Sequence, residues 1–311
     1  MRFNGHRIAG VNGVSLHVKK GAIITLCGKS GSGKTTLLKC LNGSYNLDAG
    51  SVTWNGKAVL GPAHNLVPGY EHIKLVHQDF KLLPNHTIFE NLALGLKFCT
   101  KTEVKSRINE IAKHFEISLL LAKKPKEISG GQQQRAAIAA ALIDDPELLL
   151  LDEPFSNLDR WLREKAMDWI MAKVKELQQT VVYASHDAQE VLRWGEEVYY
   201  LEKGKVKQKG IPEDLYWNPK NELVGRFFGS LFHTAELNFI EGDPPNRVFA
   251  RMSDLEIKEG ETFSVRSSLF LGSHYINTLY TKQHKCHLEV ASETKLTEKQ
   301  KIGLKWKERA S

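Results

Sequence analysis

Through the first two thirds of the chain, short wholly apolar runs alternate with stretches of helical periodicity. "AIITLC" (22–27), "ELLLLDEP" (147–154) and "TVVYASHD" (180–187) show little polar alternation before their charged or polar ends. Strands of that kind are buried on both faces, which predicts a largely parallel sheet with helices on either side. "IKLV" (73–76) reads as another such strand, and "TTLLKCLNG" (35–43) as a helix closed by Gly43. Between 87 and 127 the pattern turns helical in "TIFENLALGLKF" and "TEVKSRINEIAKHFEI", predicting a helical subdomain over about 85–135. From about 236 the runs shorten to "RVFARM", "TFSVRS" and "HLEVAS", with turns expected at "EGDPPN" and at "KEGE" (258–261). The expected organisation is an α/β domain over 1–232 followed by a small all-β domain over 236–311.

Composition narrows the class without changing this outline. A length of 311 residues suits two domains, and 41% hydrophobic with 25% charged residues is ordinary for a globular protein. The apolar run "AAIAAALI" (136–143) is far short of the ~18 residues that cross a bilayer. "MRFNGHRIAG" lacks the apolar core of a secretory signal. Four scattered cysteines without a CxxC pair read as reduced thiols in the cytosol. The net charge of +7 is spread along the chain; the last thirty residues hold 8 Lys/Arg against 4 Asp/Glu, a tilt rather than a polybasic arm. A nucleic-acid partner is therefore not expected.

The chemistry concentrates in three places. "GKSGSGKT" (28–35) fits G-x-x-x-x-G-K-[ST] between a strand and a helix, the context a phosphate-binding loop requires. Its glycines let successive N–H groups face a polyphosphate, at the positive end of the following helix. The predicted cradle comprises Gly28, Ser30, Gly31, Ser32, Gly33, Lys34, Thr35 and Thr36, with Lys34 on the β- and γ-phosphates and the Thr35 hydroxyl on Mg²⁺. Asp152 emerges at the C-terminal edge of a strand of four leucines, where open α/β sheets bind ligands, and would support the magnesium shell. Glu153 follows it and could accept a proton from the attacking water. His186 sits past the end of another strand, at the same edge. Gln78 follows "IKLV" and is uninformative alone.

Together "GKSGSGKTT", Gln78, "ISGGQQQR" (128–135), "LLLLDEP", "SNLD" (156–159) and His186 resemble, in order and spacing, an ABC-type ATPase over residues 3 to about 230. The resemblance implies a P-loop NTPase, RecA-like core with an inserted helical subdomain, ATP and Mg²⁺ as ligands, and Asp152, Thr35 and Gln78 on the metal. It implies Glu153 as general base, His186 as γ-phosphate switch, Gln78 as the link to a transmembrane partner and Asp159 as a cross-dimer contact. Ser129 and Gln132 match a helix capping box, which accounts for Ser129 but not for Gly130 and Gly131, each costing about 1 kcal/mol in a helix. By the resemblance, Ser129, Gly130, Gly131 and Gln132 meet the ATP of a second subunit in a head-to-tail homodimer, or in a heterodimer with a related ATPase.

Three features depart from the family pattern. Phe3 is the one candidate for stacking on adenine, at a spacing about two residues short, and the first strand is expected to be missing or incomplete. Lys29 stands where proline is common, and Ser185 where threonine is common. "GIPEDLYWNPKNELVGRFFGS" (210–230), "ARMSDLEI" (250–257) and "SLFLGSHYINTL" (268–279) are similar to the segment and OB-like TOBE repeats of importer ATPases for maltose, polyamines, ferric iron or sulfate. The expected partners are membrane permease subunits and an extracytoplasmic solute-binding protein, with the chain peripheral on the cytoplasmic face of the plasma membrane. The solute class expected is polyamine or ferric ion. An exporter or lipoprotein-release ATPase is the alternative reading, and a soluble ABC ATPase acting on ribosomes or DNA a more distant one.

Overall fold

The apolar run after Gly21 forms β1 (Ile23–Cys27), buried along its whole length. After it come α1 (Lys34–Leu41), a short hairpin of β2 (Thr53–Trp54) and β3 (Lys57–Ala58), β4 (Ile73–Val76), α2 (Ile88–Ala93), α3 (Lys101–His114), α4 (Gly130–Leu142), β5 (Leu148–Asp152), α5 (Arg160–Leu177), β6 (Thr180–Ser185), α6 (Ala188–Trp194), β7 (Glu197–Glu202) and β8 (Lys205–Gly210). The structure is a computed structural model describing residues 10–65, 70, 72–76, 82–96, 99–154, 160–177, 179–242, 244–245 and 248–307.

Six strands form one sheet in the order β4-β5-β6-β1-β7-β8, parallel except for the antiparallel edge strand β8. Its two faces take alternate residues of each strand. Ile23, Leu149, Leu151, Val181 and Tyr183 pack with α2–α5, while Ile24, Leu26, Leu148, Leu150 and Val182 pack with Leu37 and Leu38 of α1. Both faces are therefore dry, which is why these strands read as unbroken apolar runs. The helical insertion lies between β4 and β5. Its first two helices start at capping boxes, Thr87 with Glu90 and Thr100 with Glu103, in which each side chain satisfies a main-chain N–H of the other.

Residues from Glu213 onward form a second compact unit. It contains α7 (Pro212–Trp217), α8 (Glu222–Phe227), the pair β9 (Phe232–His233) and β10 (Phe249–Ala250), and a four-stranded antiparallel sheet. That sheet has the order β13-β12-β11-β14, from β11 (Leu255–Phe270), β12 (Tyr275–Thr281), β13 (Cys286–Ser292) and β14 (Lys301–Trp306). Arg251 explains why the division falls upstream of the 232/236 boundary expected from the sequence. It is 3% exposed, donates to the carbonyls of Tyr216 (2.8 Å), Gly225 (2.9 Å), Gly229 (3.3 Å) and Ser230 (3.3 Å), and lies over the Tyr216 ring. One guanidinium thus fastens α7 and α8 to the β module.

"KEGE" is not a turn. β11 runs through it, with a register shift against β14 between Lys258 and Phe263. Gly260 allows this because a Cβ there would lie 3.0 Å from the Gly303 Cα. The hairpin turn comes later, where the Leu271 N–H donates to the His274 carbonyl (2.9 Å). All four cysteines are free thiols. Among the described residues no helix is long and apolar enough to cross a membrane.

Candidate active site

The loop between β1 and α1 is held from below by the β7–β8 turn. Gly28 has φ 143°, and a Cβ on it would stand 2.2 Å from the Leu201 carbonyl oxygen, so only glycine lets the loop settle on β7. The Gly204 N–H donates to the Ser32 carbonyl (2.9 Å), which fastens the loop's middle. Gly33, at φ 105°, turns the chain into α1. The Lys34 side chain, 4% exposed, folds back under the loop, donating to the carbonyls of Gly28 (2.9 Å) and Lys29 (3.3 Å).

Strand order brings the other groups to this loop. β6 lies between β1 and β5, with Cys27 opposite Ser185 and Asp152 opposite Ala184, so three parallel strands end at one level. The Thr35 hydroxyl donates to Asp152 Oδ1 (2.9 Å). Burial raises the proton affinity of Asp152 above that of an ordinary carboxylate, and the Glu153 charge adds to this. The Thr35 hydrogen bond and the Lys39 and Lys34 charges oppose it. Glu153 stands at φ 48°, a conformation uncommon outside glycine and frequent where function demands it. Its carboxylate lies 3.4 Å from Lys34 Nζ by one oxygen and 2.8 Å from His186 Nδ1 by the other. Lysine, acid and histidine thus form one chain across the ends of β1, β5 and β6.

The donor set fits the ligands implied. A hydroxyl and a carboxylate in contact, both oxygen, suit a hard cation such as Mg²⁺. The glycine cradle, a buried ammonium and the N-terminus of α1 suit a polyphosphate. Phe3, Gln78 and Asp159 lie outside the described residues.

The "ISGGQQQR" segment opens α4. The Ser129 hydroxyl accepts from the Gln132 N–H (3.4 Å), and Gln132 Oε1 accepts from the Ser129 N–H (3.0 Å). Gly130 is exposed, and a Cβ on it would meet nothing within 4 Å. Neither the cap nor packing among the described residues calls for glycine there. Among the described residues, no hydrogen bond connects Ser129, Gly130, Gly131 or Gln132 with the phosphate loop. Sequence reading missed Gln134, which is 1% exposed and donates its amide to the Pro154 carbonyl, tying α4 to the chain just after Glu153. Three consecutive glutamines look alike in sequence; helix phase alone turns this one inward.

Comparison with known proteins places these features in context. A family profile described as "ABC transporter" matches residues 11–156. The chain is 36% identical over 223 residues to the spermidine/putrescine import ATP-binding protein of Haemophilus influenzae, covering 71% of this chain and 59% of that one. It is 33% identical over 278 residues to the oligosaccharides import ATP-binding protein of Bacillus subtilis, covering 88% and 74%. It is 35% identical to the sulfate/thiosulfate import ATP-binding protein of Bradyrhizobium diazoefficiens, covering 71% and 65%. The chain therefore spans about three fifths of the length of the first of these relatives. Among solved structures, a dimeric post-hydrolysis ATP-binding cassette bound to ADP and Pi matches 65% of this chain and 90% of its own, at 31% identity and TM-score 0.60.

Proposed function

Because the chain belongs to the ABC transporter family, we propose that it is the ATP-hydrolysing subunit of an importer, dimerising around two ATP to drive permease subunits in the membrane. The observation that carries the reading is the contact of Glu153 with both Lys34 and His186, beside the Thr35–Asp152 pair. Lys34 and the loop N–H groups hold the phosphates, and His186 is within reach of the same carboxylate. Thr35 and Asp152 would hold Mg²⁺, which supplies charge neutralisation on the phosphate oxygens when bound. Glu153 is positioned to take the proton of the attacking water, with His186 orienting its carboxylate. Gln78 and Asp159 keep the roles the family gives them, on the metal and across the dimer.

A second copy completes the site. Ser129 caps α4 and Gly130, Gly131 and Gln132 open it, with open space beside Gly130, and the N-terminus of that helix attracts negative charge. The solved cassette dimer and the head-to-tail geometry of the family support a partner's ATP as the ligand. Residues 236–311, similar in sequence to TOBE repeats, support the importer reading over the exporter one. The relatives named are import subunits for spermidine/putrescine, oligosaccharides and sulfate/thiosulfate at similar identity, and polyamine or ferric ion stays the solute class proposed from the sequence resemblance. The chain then works as a peripheral subunit at the cytoplasmic face, beside permeases and an extracytoplasmic binding protein.

Replacing Glu153 by Gln should lower turnover by about 100-fold or more and leave an ATP-bound dimer stable through gel filtration. An active variant, or one monomeric in ATP, refutes the assignment. Ser129→Arg should leave ATP binding by the monomer intact and abolish both the dimer and hydrolysis; loss of monomer binding would show the segment acting on its own chain's nucleotide.

A further inference from the structure

His186 is exposed, and its ring is held by Glu153, so something else must set the turn that carries it. That role falls to the Ser185 hydroxyl. It accepts from the Asp187 N–H (3.0 Å) and donates to Glu190 Oε2 (2.5 Å). The other oxygen of Glu190 lies 3.3 Å from Arg163 Nη1, which also stands 3.6 Å from Asp187 Oδ2. Glu190 is largely buried on α6, and Arg163 lies in the first turn of α5. Farther along, Arg193 donates to Glu164 (2.6 Å) and Asp168 (3.0 Å), and the Trp194 indole N–H to Asp168 (2.9 Å). These contacts join the first half of α5 to α6.

We infer that Arg163 and Glu190 are positioning residues that couple the start of α5 to the His186 turn. The inference rests on the ATP-hydrolysis reading above. α5 begins at Arg160, so a shift of its first turn carries Arg163 with it. The Glu190 carboxylate must follow, because a largely buried anion deprived of its cation is costly. Through Ser185 it shifts the His186 turn relative to Glu153. Burial raises the proton affinity of Glu190, opposed first by the Ser185 hydrogen bond and less by the Arg163 charge. Ser185 departs from the family's threonine yet keeps the hydroxyl, the one group this link needs.

The test combines steady-state ATPase kinetics with backbone hydrogen exchange on the full chain, using Arg163→Gln, Glu190→Gln, the double variant and Arg163→Lys. Each glutamine variant should lower kcat by about 10-fold with KM for ATP within about twofold, and the double variant should be no slower than the poorer single one. Arg163→Lys, which keeps the charge, should recover most of the rate. In the nucleotide-free chain, amides of 185–188 should exchange faster in both single variants and no faster still in the double. Additive losses, a raised KM at unchanged kcat, or unchanged exchange at 185–188 would each overturn the coupling. A wild-type chain without ATPase activity would refute the proposed function instead, and the exchange result alone would then decide the coupling.

Discussion

Among the described residues two cations are buried, one in each compact unit, and they serve opposite ends. Lys34 is 4% exposed and Arg251 3%. The Arg251 guanidinium reaches main-chain carbonyls at Tyr216, Gly225, Gly229 and Ser230 and an aromatic face, so its burial is answered within its own unit. Lys34 donates to two carbonyls of its own loop and faces a carboxylate 3.4 Å away that also holds His186. What separates a structural charge from a working one is thus not burial but the company it keeps. A cation ringed by carbonyls holds helices, whereas one at the end of a parallel strand, beside an acid and under a glycine loop, suits the phosphate role proposed for it.

Substitutions can break this contrast, and the largest effect belongs to Lys34. Lys34→Ala should weaken ATP binding by about 100-fold or more, read by titration with a fluorescent nucleotide, with a smaller stability loss than Arg251→Ala because it orphans two carbonyls rather than four. An unchanged affinity would remove the phosphate-loop assignment. Arg251→Ala should do the reverse, destabilising residues 213–311 by about 3 kcal/mol through the orphaned carbonyls, with nucleotide affinity preserved. Denaturant unfolding followed in parallel with nucleotide binding checks both halves of that statement.

The smallest effect on stability is expected at Asp152, the buried anion of the site. Its folded-state proton affinity is raised, so in the magnesium-free chain the folded form binds the proton more tightly than the unfolded form. Stability therefore falls as pH rises from the ordinary carboxylate range through the raised folded value. Asp152→Asn should remove that decline and raise the neutral-pH melting temperature by about 2 °C, while eliminating magnesium-dependent hydrolysis. A lower melting temperature would mean the charge stabilises the empty site.

The strands were legible because burial on both faces leaves an unbroken apolar signature: "IKLV" is β4 residue for residue, and β1, β5 and β6 fall inside their expected runs. The Ser129–Gln132 capping box was legible because a cap is made within four residues. "KEGE" misled because its glycine answers a strand forty residues downstream, at Gly303, rather than a local turn. The inward Gln134 and the Arg163–Glu190 pair carry no local signal, since each depends on which helix packs beside which strand.

The sequence by itself determined the loop, the acids and the histidine, because phosphate chemistry demands particular side chains at fixed local spacings. Only the tertiary structure decided that β6 lies between β1 and β5, and this sets His186 against Glu153 and Glu153 against Lys34. It likewise decided that α7 and α8 belong with the C-terminal sheet, through one arginine's hydrogen bonds. The reason is common to both: strand order and helix docking are settled by burial summed over the whole chain, whereas a motif is settled by its neighbours.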